Sequence, residues 1–175
     1  DFFTLDVAES IGAAPAANDL DRFVSKCQKY VGRVSLPGLD MPLEISPENV
    51  RQAGQKFLQA IQEAGEIYRH IEKAKGAGTF VTEVSFDESD TPQTPAEMFL
   101  ILAGLSDQAI PLQTIAPRFS GRFNKGVDYV GDVAQFAREF EQNVAVVALA
   151  RQEFGLPENL KLSVHSGSDK FSIYG

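Results

Sequence analysis

The stretch Glu83-Val84-Ser85-Phe86-Asp87-Glu88 decides the fold, because polar and apolar side chains alternate in it before it passes into an acidic loop. Successive side chains of a strand point to opposite faces. We therefore predict a strand from Phe80 to Phe86 that turns Glu83, Ser85 and Asp87 to one side. The other side of this strand is apolar, as a face packed under helices must be.

A second polar face lies near the end of the chain, where residues 160–165 read Leu-Lys-Leu-Ser-Val-His. Alternation puts Lys161, Ser163 and His165 on one side of a strand that we expect to be buried. A buried polar face is costly unless it lines a site. The segment therefore predicts a site that receives His165 and, from the next turn, Asp169 and Lys170. A hydrogen-bonded core histidine is the alternative.

Further strands and helices alternate along the chain. The other predicted strands cover Phe2 to Val7, Arg33 to Leu36 and Leu112 to Ala116. The predicted helices run from a cap at Asn18 or Asp19 to Gly32, from Ser46-Pro47 to Gly76, from the capping box Thr94-Pro95-Ala96-Glu97 to Leu105, and from about Asp132 to Phe154. We expect Val133, Phe136, Phe140, Val144 and Val147 to form the inner face of the last helix.

Strands separated by helices cannot pair as tight hairpins, so the order predicts parallel strands with crossover helices. Thr4, Asp6 and Gln113 would add to the polar side of the sheet. Polar inner and apolar outer faces favour a barrel over an open doubly wound sheet. We predict one α/β domain over residues 1–175, a (β/α)8 TIM-barrel-like fold or part of one. Since the sequence opens at Asp1 inside a strand-like run, we expect a fragment of a longer enzyme.

Composition narrows the class of protein. The formal net charge of −8 argues against nucleic-acid and anionic-membrane partners. The apolar run from Val144 to Ala150 is too short to span a bilayer. The single cysteine, Cys27, occupies an apolar helix position, which indicates a buried thiol in a reducing cytoplasm. A homo-oligomer is compatible with this composition.

Two groups of residues suggest functional sites, one for a metal ion and one for an anion. Glu83 and Asp87, with Glu88 at the turn and His165 on another strand, would hold a divalent cation that leaves positions open for substrate oxygens. The alternative is a solvated acidic loop at residues 87–90.

The second group is a cationic loop at residues 117–126, which contains Arg118, Arg122, Lys125 and two glycines. Three cations in an acidic chain predict a seat for a carboxylate or phosphate. Pairing of these surface cations with Asp128 and Asp132 is the alternative.

At four places the sequence resembles the bacterial tagaturonate epimerases, which are metal-dependent sugar-acid epimerases that interconvert tagaturonate and fructuronate. The segments are residues 2–12, residues 83–88 with 91–95, residues 117–119 with 125–129, and residues 162–174. The resemblance implies that Asp87 is the acid/base carboxylate and that Glu88 and His165 contact a divalent metal. It also implies that the family is longer and draws further histidine ligands from beyond this chain.

The other roles follow from the same resemblance. The assignment leaves open an exchange of duties between Asp87 and Glu88, and it leaves open whether Asp169 or Lys170 supplies the second proton-transfer group. The substrate-binding set comprises Arg118, Arg122, Lys125, Lys170, Glu83 and Asp6. The substrate would be a small sugar acid. Two other hypotheses stay open: a metal-dependent aldolase or isomerase of another sugar acid, and a non-catalytic sugar-acid-binding α/β domain.

Overall fold

A parallel sheet flanked by helices forms the centre of the computed structural model, which describes residues 1–174. In chain order the strands are β1 (Phe2–Asp6), β2 (Gly32–Val34), β3 (Leu43–Ile45), β4 (Val81–Phe86), β5 (Thr114–Pro117) and β6 (Lys161–Leu162), and the helices are α1 (Ala17–Cys27), α2 (Pro47–Lys75), α3 (Pro95–Asp107) and α4 (Val133–Phe154). The main sheet has the order β1-β4-β5-β6, and every neighbouring pair in it is parallel. The predicted α/β class with a parallel sheet is confirmed.

The starts of three helices follow from local chemistry. The Ser46 and Thr94 hydroxyls each accept a hydrogen bond from the backbone of the third helical residue, and the side chain of that residue returns one to the cap. Asp132 caps α4 in a similar way through the amide of Gln135. A cap of this kind contributes about 1 kcal/mol, so these predicted boundaries are strongly specified.

The start predicted for α1 is wrong. The cap is Ala16, with no side-chain hydrogen bond to the backbone, and Asn18 and Asp19 lie inside the first turn. The Asp19 carboxylate instead accepts hydrogen bonds from Arg22 and Gln62. One oxygen of Asp19 therefore binds Arg22 one turn along the same helix, and the other binds Gln62 of α2, so neither caps the helix.

The core lies on one face of the sheet. Leu5, Val84 and Ile115 point into it from β1, β4 and β5 and are at most 2% exposed. Helix α3 is buried almost all round between α2 and α4, and Cys27 lies in the same core, as predicted. Burial of this face leaves the opposite face of the strands free for polar groups.

Other details differ from the sequence prediction. Four strands do not close, so residues 1–174 contain no closed barrel. The last strand forms an edge of the sheet and is shorter and less buried than expected, because β6 covers only Lys161–Leu162 and residues 162–165 are half-buried. Strand β2 belongs to a separate antiparallel ladder with β3.

The inner face of α4 also differs. Phe136 and Val147 are buried, but Val133, Phe140 and Val144 are 41%, 38% and 46% exposed. The amino-terminal half of this helix packs against a small aromatic cluster rather than the main core, so half of its apolar stripe meets solvent. Among the helices in the described part of the chain, none is long and apolar enough to cross a membrane.

Candidate functional site

Polar side chains of three neighbouring strands form one continuous face of the sheet. Strand register places Thr4 beside Glu83, and Glu83 beside Thr114. The Thr4 hydroxyl donates to the Glu83 carboxylate over 3.0 Å. Gln113 does not join this face as predicted, because its side-chain oxygen accepts the backbone amide of Thr82, and Thr114 stands opposite Glu83 instead.

His165 connects the two carboxylates of β4 and its following turn. Its Nε2 lies 2.8 Å from Oε1 of Glu83, and its Nδ1 lies 3.0 Å from Oδ2 of Asp87. The hydroxyl of Ser85 donates to the other oxygen of Asp87. The side chain of Glu83 is 4% exposed, whereas those of His165 and Asp87 are 32% and 28% exposed. Asp87 and His165 therefore face solvent, and Glu83 supports His165 from behind.

The charges in this cluster support one another. Burial alone lowers the pKa of the His165 imidazole, but the hydrogen bond to Glu83 and the charge of Asp87 outweigh it, so the net pKa is raised above 6.5. Burial raises the pKa of Glu83, but the hydrogen bonds from His165 and Thr4 are among those that bring the net pKa below 4.5. The structure therefore favours an imidazolium held between two carboxylates.

A cavity of about 230 Å³ opens beside this cluster. Its lining includes Asp87, His165, Arg118 and Arg122. One guanidinium N–H of Arg118 also donates to the backbone carbonyl of Asp87 over 3.5 Å. The two groups predicted separately, the carboxylates with the histidine and the cationic loop, thus meet in one cavity.

The glycines of the cationic loop have a structural purpose. Gly121 has a φ of +92°, and a Cβ there would collide with the ring of Tyr129. The Tyr129 hydroxyl donates to the carbonyl of Ser120, and Arg122 pairs with Val130 across the loop. The loop therefore folds around Tyr129, and this packing fixes the position of Arg122.

The remaining predicted residues lie outside the cavity lining. Asp6, Glu88, Lys125 and Asp169 are exposed, and Lys170 is only 1% exposed. The Asp6 carboxylate accepts the amide of Ala8, and that of Asp169 accepts the hydroxyl of Tyr174. The Lys170 ammonium donates to the carbonyl and hydroxyl of Ser168. The roles assigned to these five residues stay predictions.

The sequence prediction missed a buried amide in the loop after β4. Gln93 is 5% exposed, and its oxygen accepts the backbone amide of Arg118 over 2.7 Å. A polar residue between two prolines and a capping threonine carries no local signal of such a contact. Its partner lies 25 residues away, and only the parallel pairing of β4 and β5 brings the two loops together.

Carboxylates and imidazoles are the side chains that divalent transition metals prefer, so the donor types here suit a metal. The arrangement of these donors does not suit a metal. Residues 1–174 contain no group of three His, Cys, Asp or Glu side chains that converges on one point. Both ring nitrogens of His165 lie at hydrogen-bonding distance from carboxylates, so neither is directed at an open position for an ion. The described residues do not form a metal site by themselves.

Comparisons with known proteins agree on one family. The profile of the tagaturonate epimerase family (UxaE) matches residues 4–175. A tagaturonate/fructuronate epimerase from Thermotoga maritima is 33% identical over 132 residues, which are 75% of this chain and 26% of that protein.

Solved structures agree with the sequence comparisons. A glycerol complex of fructuronate-tagaturonate epimerase UxaE from Cohnella laeviribosi is 29% identical and superposes with a TM-score of 0.75. A native crystal structure of that enzyme is 28% identical in sequence and superposes with a TM-score of 0.72. The match covers 99% of this chain and 36% of theirs. The chain therefore spans about a third of the length of these structures.

Proposed function

Because the chain belongs to the tagaturonate epimerase family, we propose that it carries the proton-transfer and carboxylate-binding groups of a site that interconverts tagaturonate and fructuronate. The observation that carries this proposal is the cavity shared by Asp87, His165, Arg118 and Arg122. The cavity brings groups that can exchange protons together with groups that can bind an anion. A uronate needs both, because it has a carboxylate at one end and hydroxyl-bearing carbons along its chain.

The arginines are proposed to bind the uronate carboxylate. A guanidinium keeps its charge at any relevant pH and forms paired hydrogen bonds to a carboxylate. Arg118 is already oriented by the carbonyl of Asp87, so less side-chain entropy is lost when substrate binds. In a chain with a formal net charge of −8, these two cations mark the cavity as the place for an anion.

Asp87 is proposed as the catalytic base and acid. Inverting a hydroxyl-bearing carbon needs a group that accepts a proton from substrate and returns one, whether a C–H bond or a neighbouring C–C bond is opened. The carboxylate of Asp87 can do this because each of its oxygens has a second lone pair beside the one that accepts from Ser85 or His165. His165 faces the same cavity and can return a proton from its imidazolium. Glu83 is proposed to position His165 through its Nε2.

Four finer predictions are proposals: a divalent metal, a barrel, a cytoplasmic location and a homo-oligomer. A divalent metal that binds Glu88 and His165 would need ligands beyond the described residues and loss of the proton on His165. No step above depends on it. The four-stranded sheet is proposed to be part of a barrel, because its polar face lines the site while its apolar face lies under helices. The cytoplasmic location and a homo-oligomer are likewise proposals.

The test is incubation of the purified protein with tagaturonate and measurement of fructuronate formed, with and without a chelator. Conversion supports the proposed function, and its loss with the chelator supports the metal. Cleavage of the sugar acid would instead identify an aldolase. Tagaturonate binding without turnover would favour the non-catalytic sugar-acid-binding domain and contradict the proposal.

A further inference from the structure

Gln93 lies where the loops that follow β4 and β5 meet. Its side chain is 5% exposed. Its oxygen accepts the Arg118 amide over 2.7 Å, and its nitrogen donates to the Ser89 hydroxyl and, over 3.4 Å, to the carbonyl of Thr91. Ser89 donates to the same carbonyl over 2.9 Å. One amide therefore closes the loop after β4 on itself and ties it to the residue that opens the cationic loop.

Arg118 is consequently held at both ends by the same loop. Gln93 fixes its backbone, and the carbonyl of Asp87 accepts from its guanidinium. The carboxylate of Asp87 in turn bonds His165. The distance between the anion-binding cation and the proton-transfer pair thus depends on a loop whose internal geometry Gln93 sets.

We infer that Gln93 is a positioning residue that sets the place of Arg118 in the cavity and so the affinity for the uronate carboxylate. The inference rests on the proposed function. Gln93 does not line the cavity, and the lining residue that it contacts directly is Arg118, whose backbone amide it accepts. A buried amide that satisfies both a donor and acceptors can be replaced by an apolar side chain only if those partners move.

The test is a double-mutant cycle on the affinity for tagaturonate, measured by isothermal titration of the purified protein. Arg118→Met is expected to weaken binding about thirtyfold, as the loss of a charge-assisted hydrogen bond does. Gln93→Leu is expected to weaken binding about tenfold. When Arg118 is already methionine, Gln93→Leu should change the affinity less than twofold, because the group it positions is gone.

Two further variants separate positioning from general stability. Gln93→Glu keeps an acceptor for the Arg118 amide but has no N–H for Ser89 and Thr91, so its affinity should lie between that of the parent protein and that of the leucine variant. Gln113→Leu is the matched control, since Gln113 also accepts a backbone amide, that of Thr82, at the other end of β5. It should lower the melting temperature without weakening binding.

The outcomes are distinct. The inference would be overturned if Gln93→Leu weakened tagaturonate binding equally with and without Arg118. It would also be overturned if the leucine and glutamate variants lost equal affinity. Either result would leave the proposed function standing. No tagaturonate binding by the parent protein would overturn the proposed function and, with it, this inference.

Discussion

Replacing Glu83 with glutamine tests the buried half of the proposed site. Glu83→Gln preserves the shape of the side chain but removes the charge that faces Nε2 of His165. A hydrogen bond to a charged group contributes about 1.5–3 kcal/mol to the free energy of unfolding, and a buried partner left without a hydrogen bond costs a similar amount. His165 is one-third exposed and keeps Asp87, so we expect a loss of about 2 kcal/mol in the free energy of unfolding. For a chain of this size that lowers the melting temperature by about 4–8 °C.

The loss should depend on pH in a defined direction. The pKa of His165 is raised in the folded chain, so its stabilisation is complete below its ordinary value of 6.5 and disappears as the pH rises through the folded value. The pKa of Glu83 is lowered, so its stabilisation is present above 4.5 and disappears as the pH falls through the folded value. Glu83→Gln should therefore cost most between about pH 4.5 and 6.5 and less at pH 9.

Urea unfolding of the parent and variant chains from pH 5.5 to 9.5 measures this difference. Glu44→Gln is the matched control, because Glu44 pairs with Arg33 in an ion pair whose side chains are 72% and 73% exposed. An exposed pair contributes little, so this change should alter stability by about 0.5 kcal/mol or less at every pH. A Glu83→Gln loss that is negligible, or equal at pH 5.5 and 9.5, would refute the charged arrangement.

Three other substitutions test the elements that support the site. Thr94→Ala removes the capping box of α3 and should cost about 1 kcal/mol in urea unfolding, and an unchanged midpoint would contradict the assigned cap. Gly121→Ala puts a side chain at a φ of +92° and against Tyr129, so it should weaken tagaturonate binding, whereas Gly126→Ala, which meets no neighbour within 4 Å, should weaken it less. Equal effects at the two glycines would mean that packing against Tyr129 does not shape the cavity. Phe99→Ala removes a ring that is 0% exposed and should cost about 3–5 kcal/mol, and a loss below 1 kcal/mol would contradict its place in the core.

Local rules account for the parts of the structure that the sequence predicted well. Ser46 with Pro47 and Thr94 with Glu97 specify helix starts within four residues, and both were predicted. Strand alternation likewise predicted that Thr4 and Glu83 would share one polar face, and the two are neighbours joined by a hydrogen bond. These patterns need no knowledge of distant contacts.

The errors arise from side-chain contacts, made or missing, that helix and strand patterns do not describe. Asp19 looked like a cap, but Arg22 and Gln62 bind its oxygens. Val144 continued the apolar stripe of α4, yet it lies 46% exposed where no other element covers it. Gln93 carried no signal because its partner comes from the next strand. Whether strands close into a barrel also depends on elements that a local pattern does not describe.

The most direct test of the central claim compares two aspartates of the same loop in a tagaturonate turnover assay. Asp87 faces the cavity and bonds His165, whereas Asp90 is exposed three residues further on. Asp87→Asn should reduce kcat by at least about a hundredfold, as loss of a general acid/base does, while the melting temperature falls by no more than about 4 °C, because a partly exposed pair with His165 contributes about 1 kcal/mol or less. Asp90→Asn should leave kcat within twofold of the parent protein. Full turnover by Asp87→Asn would contradict the account.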